Sequence, residues 1–263
     1  MNRTWNSLTE GHRPCAIDVG CIDSTMKLLV LAPHPDDFDA IGVTLKFLFS
    51  QGNPLEVAVA YTGSGVEDSY RSRLTLEAKS QLREDEQRRS ARFFGLPDEC
   101  LQFMRLENDD SDQLVESHRN LGILESVVAQ KAPDIIFLPH GNDTNSAHRA
   151  MYAMVHQIAL RSHRPIALML IRDPKNISMR TDLYLAFGEV QAAWKAQLLR
   201  FHDSQQKRNL NSRGYGFDKR ILDFNQQSAK ELGLNQPYAE VFEIENFNPL
   251  GMTHTDDKSS LVQ

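Results

Sequence analysis

The chain has 263 residues, 41% of them hydrophobic, and 29 Lys and Arg against 35 Asp and Glu give a formal net charge of −6. That length is ample for one large α/β domain with a buried core. No basic stripe stands out, which argues against nucleic acid as the natural partner.

Residues 1–25 hold Pro14, several charges and no apolar run of signal-peptide length, so neither a secretory signal nor a membrane span is expected there. They read as an N-terminal extension, either ordered or an arm for a homo-oligomer. Cys15, Cys21 and Cys100 show no metal-binding spacing and read as free thiols of a cytoplasmic protein. The domain proper starts near residue 26. Lys27 to Ala32 predicts a strand, because Leu28 to Leu31 run apolar without alternation, as a central parallel strand does. It stops at Pro33, His34 and Pro35, and an apolar helix is expected over Ala40 to Phe49. His34, Asp36 and Asp37 therefore fall at the carboxyl end of the first long strand, where open α/β sheets place their ligands. An imidazole and a carboxylate three residues on suit one divalent metal, zinc first. Asp36 between them is placed to take a proton from a water that such a metal acidifies. The plainer reading is that both aspartates cap the following helix.

Leu55 to Tyr61 reads as the next strand. The glycines of the Thr62–Gly65 loop after it are turn residues, since no GxGxxG or P-loop pattern is present. Residues 66–94 read as one charged helix with Arg83 and Glu86 on a common face, terminated by Gly95 and Pro97. A short strand over Leu101 to Leu106, an acidic loop and a helix over Leu114 to Lys131 follow. Asp134 to Leu138 is a further apolar strand. Beyond a polar loop, His148, Met151, Val155 and Ile158 share a helix face, so His148 stands at the mouth of a second strand–loop–helix unit and supplies a third ligand. His140 is a rival, but a ligand at a helix start is better positioned. Asp143 either steadies a ligand imidazole or is only an Asx-turn residue. Strands are expected over Pro165 to Ile171 and Thr181 to Phe187, and a helix from Glu189. Asn209 to Asp223, with Tyr215 and Phe217, reads as a loop near the pocket, and residues 246–263 as a fraying tail.

The pair of motifs, His34-Pro35-Asp36-Asp37 and Asn145-Ser146-Ala147-His148-Arg149-Ala150, resembles the LmbE-like, or PIG-L, N-acetylglucosaminyl deacetylase family. So do Arg83–Glu86 ahead of Phe93-Phe94-Gly95-Leu96, Lys195 to Gln205 with His202, and the closing stretch Pro237 to Glu243. The resemblance covers roughly residues 26–245. It implies a single Rossmann-like α/β domain with a mainly parallel sheet flanked by helices. It also implies metal ligands His34, Asp37 and His148, with Asp36 as catalytic base. Arg83 would face the substrate. Asp39 would stand in for an acid that many members carry where this chain has Phe38. His202 would be an active-site neighbour. Asp143, from its own position and not from the resemblance, is a further candidate residue of the substrate pocket. Asn145 takes the place of a family His. An amide can donate to an oxyanion but supplies no proton, which leaves Asp36, His202 or His140 to protonate the departing amine.

The implied activity is a zinc-dependent hydrolase, another divalent metal being an option. It would remove an N-acetyl or related acyl group from an amino sugar or its glycoside. Small molecules are the expected partners, with no nucleic acid and no membrane. An amidase or esterase on a non-sugar substrate uses the same metal ligands, and a catalytically impaired sugar- or metal-binding homologue fits the departures at Phe38 and Asn145. A nucleotide-binding regulator is disfavoured by the missing phosphate loop.

Overall fold

The computed structural model describes residues 13–60, 65–67, 70, 74–109 and 113–248. The expected loop over residues 62–64, part of the acidic loop and the tail beyond 248 lie outside them. Eight strands form one sheet. They are β1 (Cys15–Ala16), β2 (Leu28–Ala32), β3 (Leu55–Val59), β4 (Leu101–Phe103), β5 (Ile135–Pro139), β6 (Ile166–Ile171), β7 (Leu183–Phe187) and β8 (Tyr238–Phe247). Their order is β1-β7-β8-β6-β5-β2-β3-β4. All neighbours are parallel except at β8, which runs antiparallel to both β6 and β7. β2, β5 and β6 are buried along their whole length, as expected of parallel strands covered on both faces.

The helices are α1 (Asp37–Ala40), α2 (Gly42–Ser50), α3 (Leu76–Phe94), α4 (His118–Lys131), α5 (Ser146–Leu160), α6 (Glu189–Arg200), α7 (Asp203–Arg213) and α8 (Phe217–Glu231). Successive side chains of β2 point to opposite faces and seed separate cores. Leu28, Val30 and Ala32 pack with Leu45, Phe94 and Leu198, while Leu29 and Leu31 pack with Leu124, Met151 and Val155. None of the described helices is long and apolar enough to cross a membrane.

Several expected boundaries move. The first helix breaks at Ile41 into α1 and α2. The charged helix begins only at Leu76, where the Thr75 hydroxyl accepts from the Ala78 amide, and it ends at Gly95 with φ 91°. The helix expected from Leu114 begins at His118, capped by Ser117. Asn209 to Asp223 is no loop. It is the end of α7, a corner at Gly214 to Gly216, and the start of α8. Its charges are the solvent side of an amphipathic helix whose Phe217, Ile221, Asn225 and Ser228 point inward. Residues 13–25, expected outside the domain, supply β1 to the sheet through parallel pairing with β7. β8 continues to Phe247.

The chain runs outward from β2 through β3 to β4, then returns to the other side of β2 as β5. The carboxyl ends of β2 and β5 therefore flank a topological switch point, which opens a crevice in such sheets.

Candidate metal centre and active site

The turn after β2 is strained and held in place. Asp36 has φ 100° and ψ −24°, a left-handed conformation that costs a non-glycine residue about 1–3 kcal/mol. Two residues of α3 hold it. Gln87 accepts the Asp36 backbone N–H through Oε1 at 3.0 Å, and Arg83 Nη2 donates to the Pro35 carbonyl at 2.5 Å and to Asp36 Oδ2 at 3.4 Å. The His34 backbone N–H donates to Asp37 Oδ2 at 2.8 Å, which folds Asp37 back over the strand end.

His148 comes from the first turn of α5 and is 1% exposed. Its Nδ1 lies 2.9 Å from Asp143 Oδ2. Asp143 also accepts from Asn176 Nδ2 at 3.0 Å and from the Asn145 backbone N–H at 2.6 Å. With Nδ1–H committed to a carboxylate, Nε2 carries the lone pair. Nε2 lies 3.7 Å from Asp37 Oδ1 and, although buried, has no hydrogen-bond partner. His34 Nδ1 is 3.4 Å from Asp37 Oδ2. One ligand atom from each of His34, Asp37 and His148 falls within 4.8 Å of the others. An orphaned buried imidazole nitrogen beside a second imidazole and a carboxylate is the donor set of a divalent-metal site, and zinc suits it. Burial alone would raise the Asp37 carboxyl. The charge and hydrogen bond of His148, with those of His34, hold it well below the usual carboxylate range. Burial pushes the His148 imidazole down, but the Asp37 charge and the bond to Asp143 bring it up to about 9. Without a metal, this cluster therefore draws in a proton as its cation.

The remaining predicted residues divide. Asn145 caps α5, its Oδ1 accepting the Ala147 N–H at 3.0 Å, and it lines the cavity above the cluster. Arg83 also lines the cavity, and its Nε and Nη1 have no partner. Asp39 does not reach the cavity. It is fully buried beneath the turn and accepts from Gln87 Nε2 at 2.9 Å, with His202 Nε2 at 2.6 Å. His202 is buried with it. Burial lowers that imidazole, and the Asp39 charge more than reverses the effect. Asp143, 1% exposed, touches His148 and not the pocket. The structure thus places Asp39 and His202 beneath the turn and outside the cavity, and Asp143 where it steadies the His148 imidazole, the first of the two roles read for it, instead of against a substrate. The reason is the same for each: a carboxylate or imidazole with a buried counter-group satisfies it rather than solvent. His140 turns away, its Nδ1 accepting the Asn142 N–H at 2.9 Å and its Nε2 lying 3.4 Å from Glu243.

Three features escaped the sequence reading. Gln87, one turn beyond Arg83, grips both Asp36 and Asp39. Lys195 Nζ, fully buried, donates to the Ala40 carbonyl at 2.6 Å, Asn225 Oδ1 at 2.7 Å and Glu240 Oε1 at 2.7 Å, while Glu240 accepts the Val43 and Thr44 N–H groups. Both ends of that pair lie in stretches already singled out, Lys195 to Gln205 and Pro237 to Glu243. The third feature is a basic side to the cavity, from Lys175, Arg208, Arg213 and Arg220. The cavity measures about 760 Å³ and has His34, Asp36 and Asp37 at its floor.

A mainly parallel α/β sheet with a His–Asp–His cluster that could hold a metal at its switch point defines the class. Residues 29–159 match the family model described as PIG-L: GlcNAc-PI de-N-acetylase, a stretch that spans both motif-bearing units, and the chain belongs to this PIG-L, or LmbE-like, family. No curated protein matches by sequence. Among solved structures, N,N'-diacetylchitobiose deacetylase from Pyrococcus horikoshii is similar, with TM-score 0.68 and 16% identity over 86% of this chain and 88% of that one. So is the 4-carboxy-2-hydroxymuconate hydratase GalB from Pseudomonas putida, at 0.63 and 15% over 90% and 100%. The zinc-inhibited form of a teicoplanin deacetylase gives 0.64 and 14% over 89% and 100%. At such identities the likeness is one of fold.

Proposed function

We propose that the protein is a metal-dependent amide hydrolase that removes an N-acetyl or related acyl group from an amino sugar or its glycoside. The observation that carries this reading is the orphaned, buried Nε2 of His148 facing Asp37 and His34 at the floor of a large cavity, with Asp36 beside them. His34, Asp37 and His148 would hold a divalent ion, zinc first, which when bound would supply the Lewis acidity that polarises an acyl carbonyl and acidifies water. Asp36 takes the proton from the attacking water. Arg83 Nη2 lies 3.4 Å from its Oδ2, and Gln87 fixes its backbone. Asn145 spends Oδ1 on its cap and keeps its amide N–H groups for the oxyanion. With His202 and His140 turned away, the proton returns to the leaving amine through Asp36. The three free thiols fit a reducing, cytoplasmic setting.

Asn145 favours a second reading, hydrolysis of an acyl ester. An alkoxide departs with less help from an acid than an amine does, and Asn carries no proton to give. Metal content by elemental analysis, measured with acetate release from N-acetylglucosamine, its glycosides and matching O-acetyl esters, separates the two. Stoichiometric metal with amide turnover, both lost in His148→Ala, is expected. Ester turnover alone establishes the second reading, and full amide turnover by metal-free protein overturns both.

A further inference from the structure

The basic side of the cavity has no use in acyl-group chemistry. Lys175 comes from the loop after β6, Arg208 and Arg213 from α7, and Arg220 from α8. Among the described residues none of the four forms an ion pair, although other basic residues of α8 and of that loop do. Lys219 pairs with Asp223, and Arg172 with Glu231. The carboxylates that share the cavity are already engaged. Asp36 faces Arg83, and Asp37 faces the two imidazoles. Glu67 accepts from Asn211, and Asp173 from the backbone of Lys175. Burial lowers the half-buried Arg220 guanidinium; Asp173 opposes this, and the nearby Arg213 adds to it.

Gathering unpaired like charges on one wall costs free energy unless an anion answers them. The wall is also a junction. Lys175, Arg213 and Arg220 line both the 760 Å³ cavity and an adjoining groove of about 510 Å³, which Tyr215 and Phe224 continue. Ligand pockets for drug-sized molecules run about 300–1,000 Å³, so the first cavity alone has room for more than one sugar ring.

We infer that the substrate carries an anionic group, a phosphate or a carboxylate, away from its acyl group, and that Lys175, Arg213 and Arg220 bind it at this junction with Arg208 at the rim. The inference rests on the deacylase reading of the same site and narrows it. Neutral amino sugars fill the floor and leave the wall unanswered. An acid-bearing sugar answers both, and the aromatic groove takes whatever is attached beyond the acid. Guanidinium forks suit either anion, so the choice between phosphate and carboxylate falls to the ligand series.

The test is calorimetric titration of the metal-loaded protein with glucosamine, glucosamine 1-phosphate, glucosamine 6-phosphate and muramic acid, together with kcat/KM on their N-acetyl counterparts. One acid-bearing sugar is expected to bind at least about tenfold tighter than glucosamine, the gap shrinking as salt rises. Which of the phosphates or the carboxylate wins identifies the anion. In Lys175→Gln/Arg213→Gln, the first position half-buried and the second exposed, the gap closes to within about threefold, a loss read as affinity whether or not turnover occurs. Equal affinity for neutral and acid-bearing sugars, or a preference that survives the double substitution, overturns the inference. Tight, salt-sensitive binding without acyl release leaves it standing and instead overturns the deacylase reading.

Discussion

The floor and the wall of the cavity are built in opposite ways. The floor is braced from behind: Asp143 stands behind His148, Gln87 and Arg83 behind Asp36, and Asp39 with His202 lies beneath the turn. On the wall, Arg208 and Arg213 are exposed, and among the described residues no counter-ion fixes any of the four cations. Chemistry needs reacting atoms held to a fraction of an ångström, so its residues are locked from behind. Recognition of a mobile charge tolerates long side chains that settle only when the ligand arrives. Floor substitutions should therefore change rate, metal and fold, and wall substitutions selectivity.

The sharpest check on that division is Asp36→Asn. Asn tolerates positive φ better than other side chains, so the turn survives while the base is lost. A fall in kcat of about 10²–10⁴ with metal content unchanged is expected. If Arg213→Gln costs as much turnover, the division fails. Next is Lys195→Ala, which leaves the buried Glu240 at the start of α2 without its cation. A loss of about 3–5 kcal/mol in urea unfolding is expected. Lys195→Met/Glu240→Leu should recover only part of it, because the Val43 and Thr44 amides lose their acceptor. The smallest effect is graded. His148 in the metal-free site titrates near 9, so below that value metal must displace its proton. Apparent zinc affinity should rise about tenfold per pH unit up to about pH 9, measured by chelator competition. A flat profile would show that the imidazole is neutral before metal arrives.

The same division decides what was legible in the sequence. β2, β5 and β6 announce themselves by unbroken apolar runs, and His34, Asp37 and His148 by standing where those runs stop. Local spacing carries that much. Asp39 and His202 are 163 residues apart in sequence, and only packing turns them into a buried pair instead of two pocket residues. The wall escaped notice for a different reason. Gly214 and Gly216 amid many charges look like a loop, whereas the inward set of Phe217, Ile221, Asn225 and Ser228 mixes apolar with polar residues and blurs the helical period. Lys195 and Glu240 were quoted as motif letters, and nothing in one dimension says that they meet.

β8 lies between β6 and β7. Residues up to Ile171 contain every strand from β2 to β6 and all three of His34, Asp37 and His148. β7 and β1, however, have no way to join that half-sheet until the segment Tyr238–Phe247 has left the ribosome. Until then Lys195 is without Glu240, and the sheet edge of β6 stays open to another nascent chain. The metal cluster thus belongs to the part of the molecule that is born early, and its foundation to the part that arrives last among the described strands.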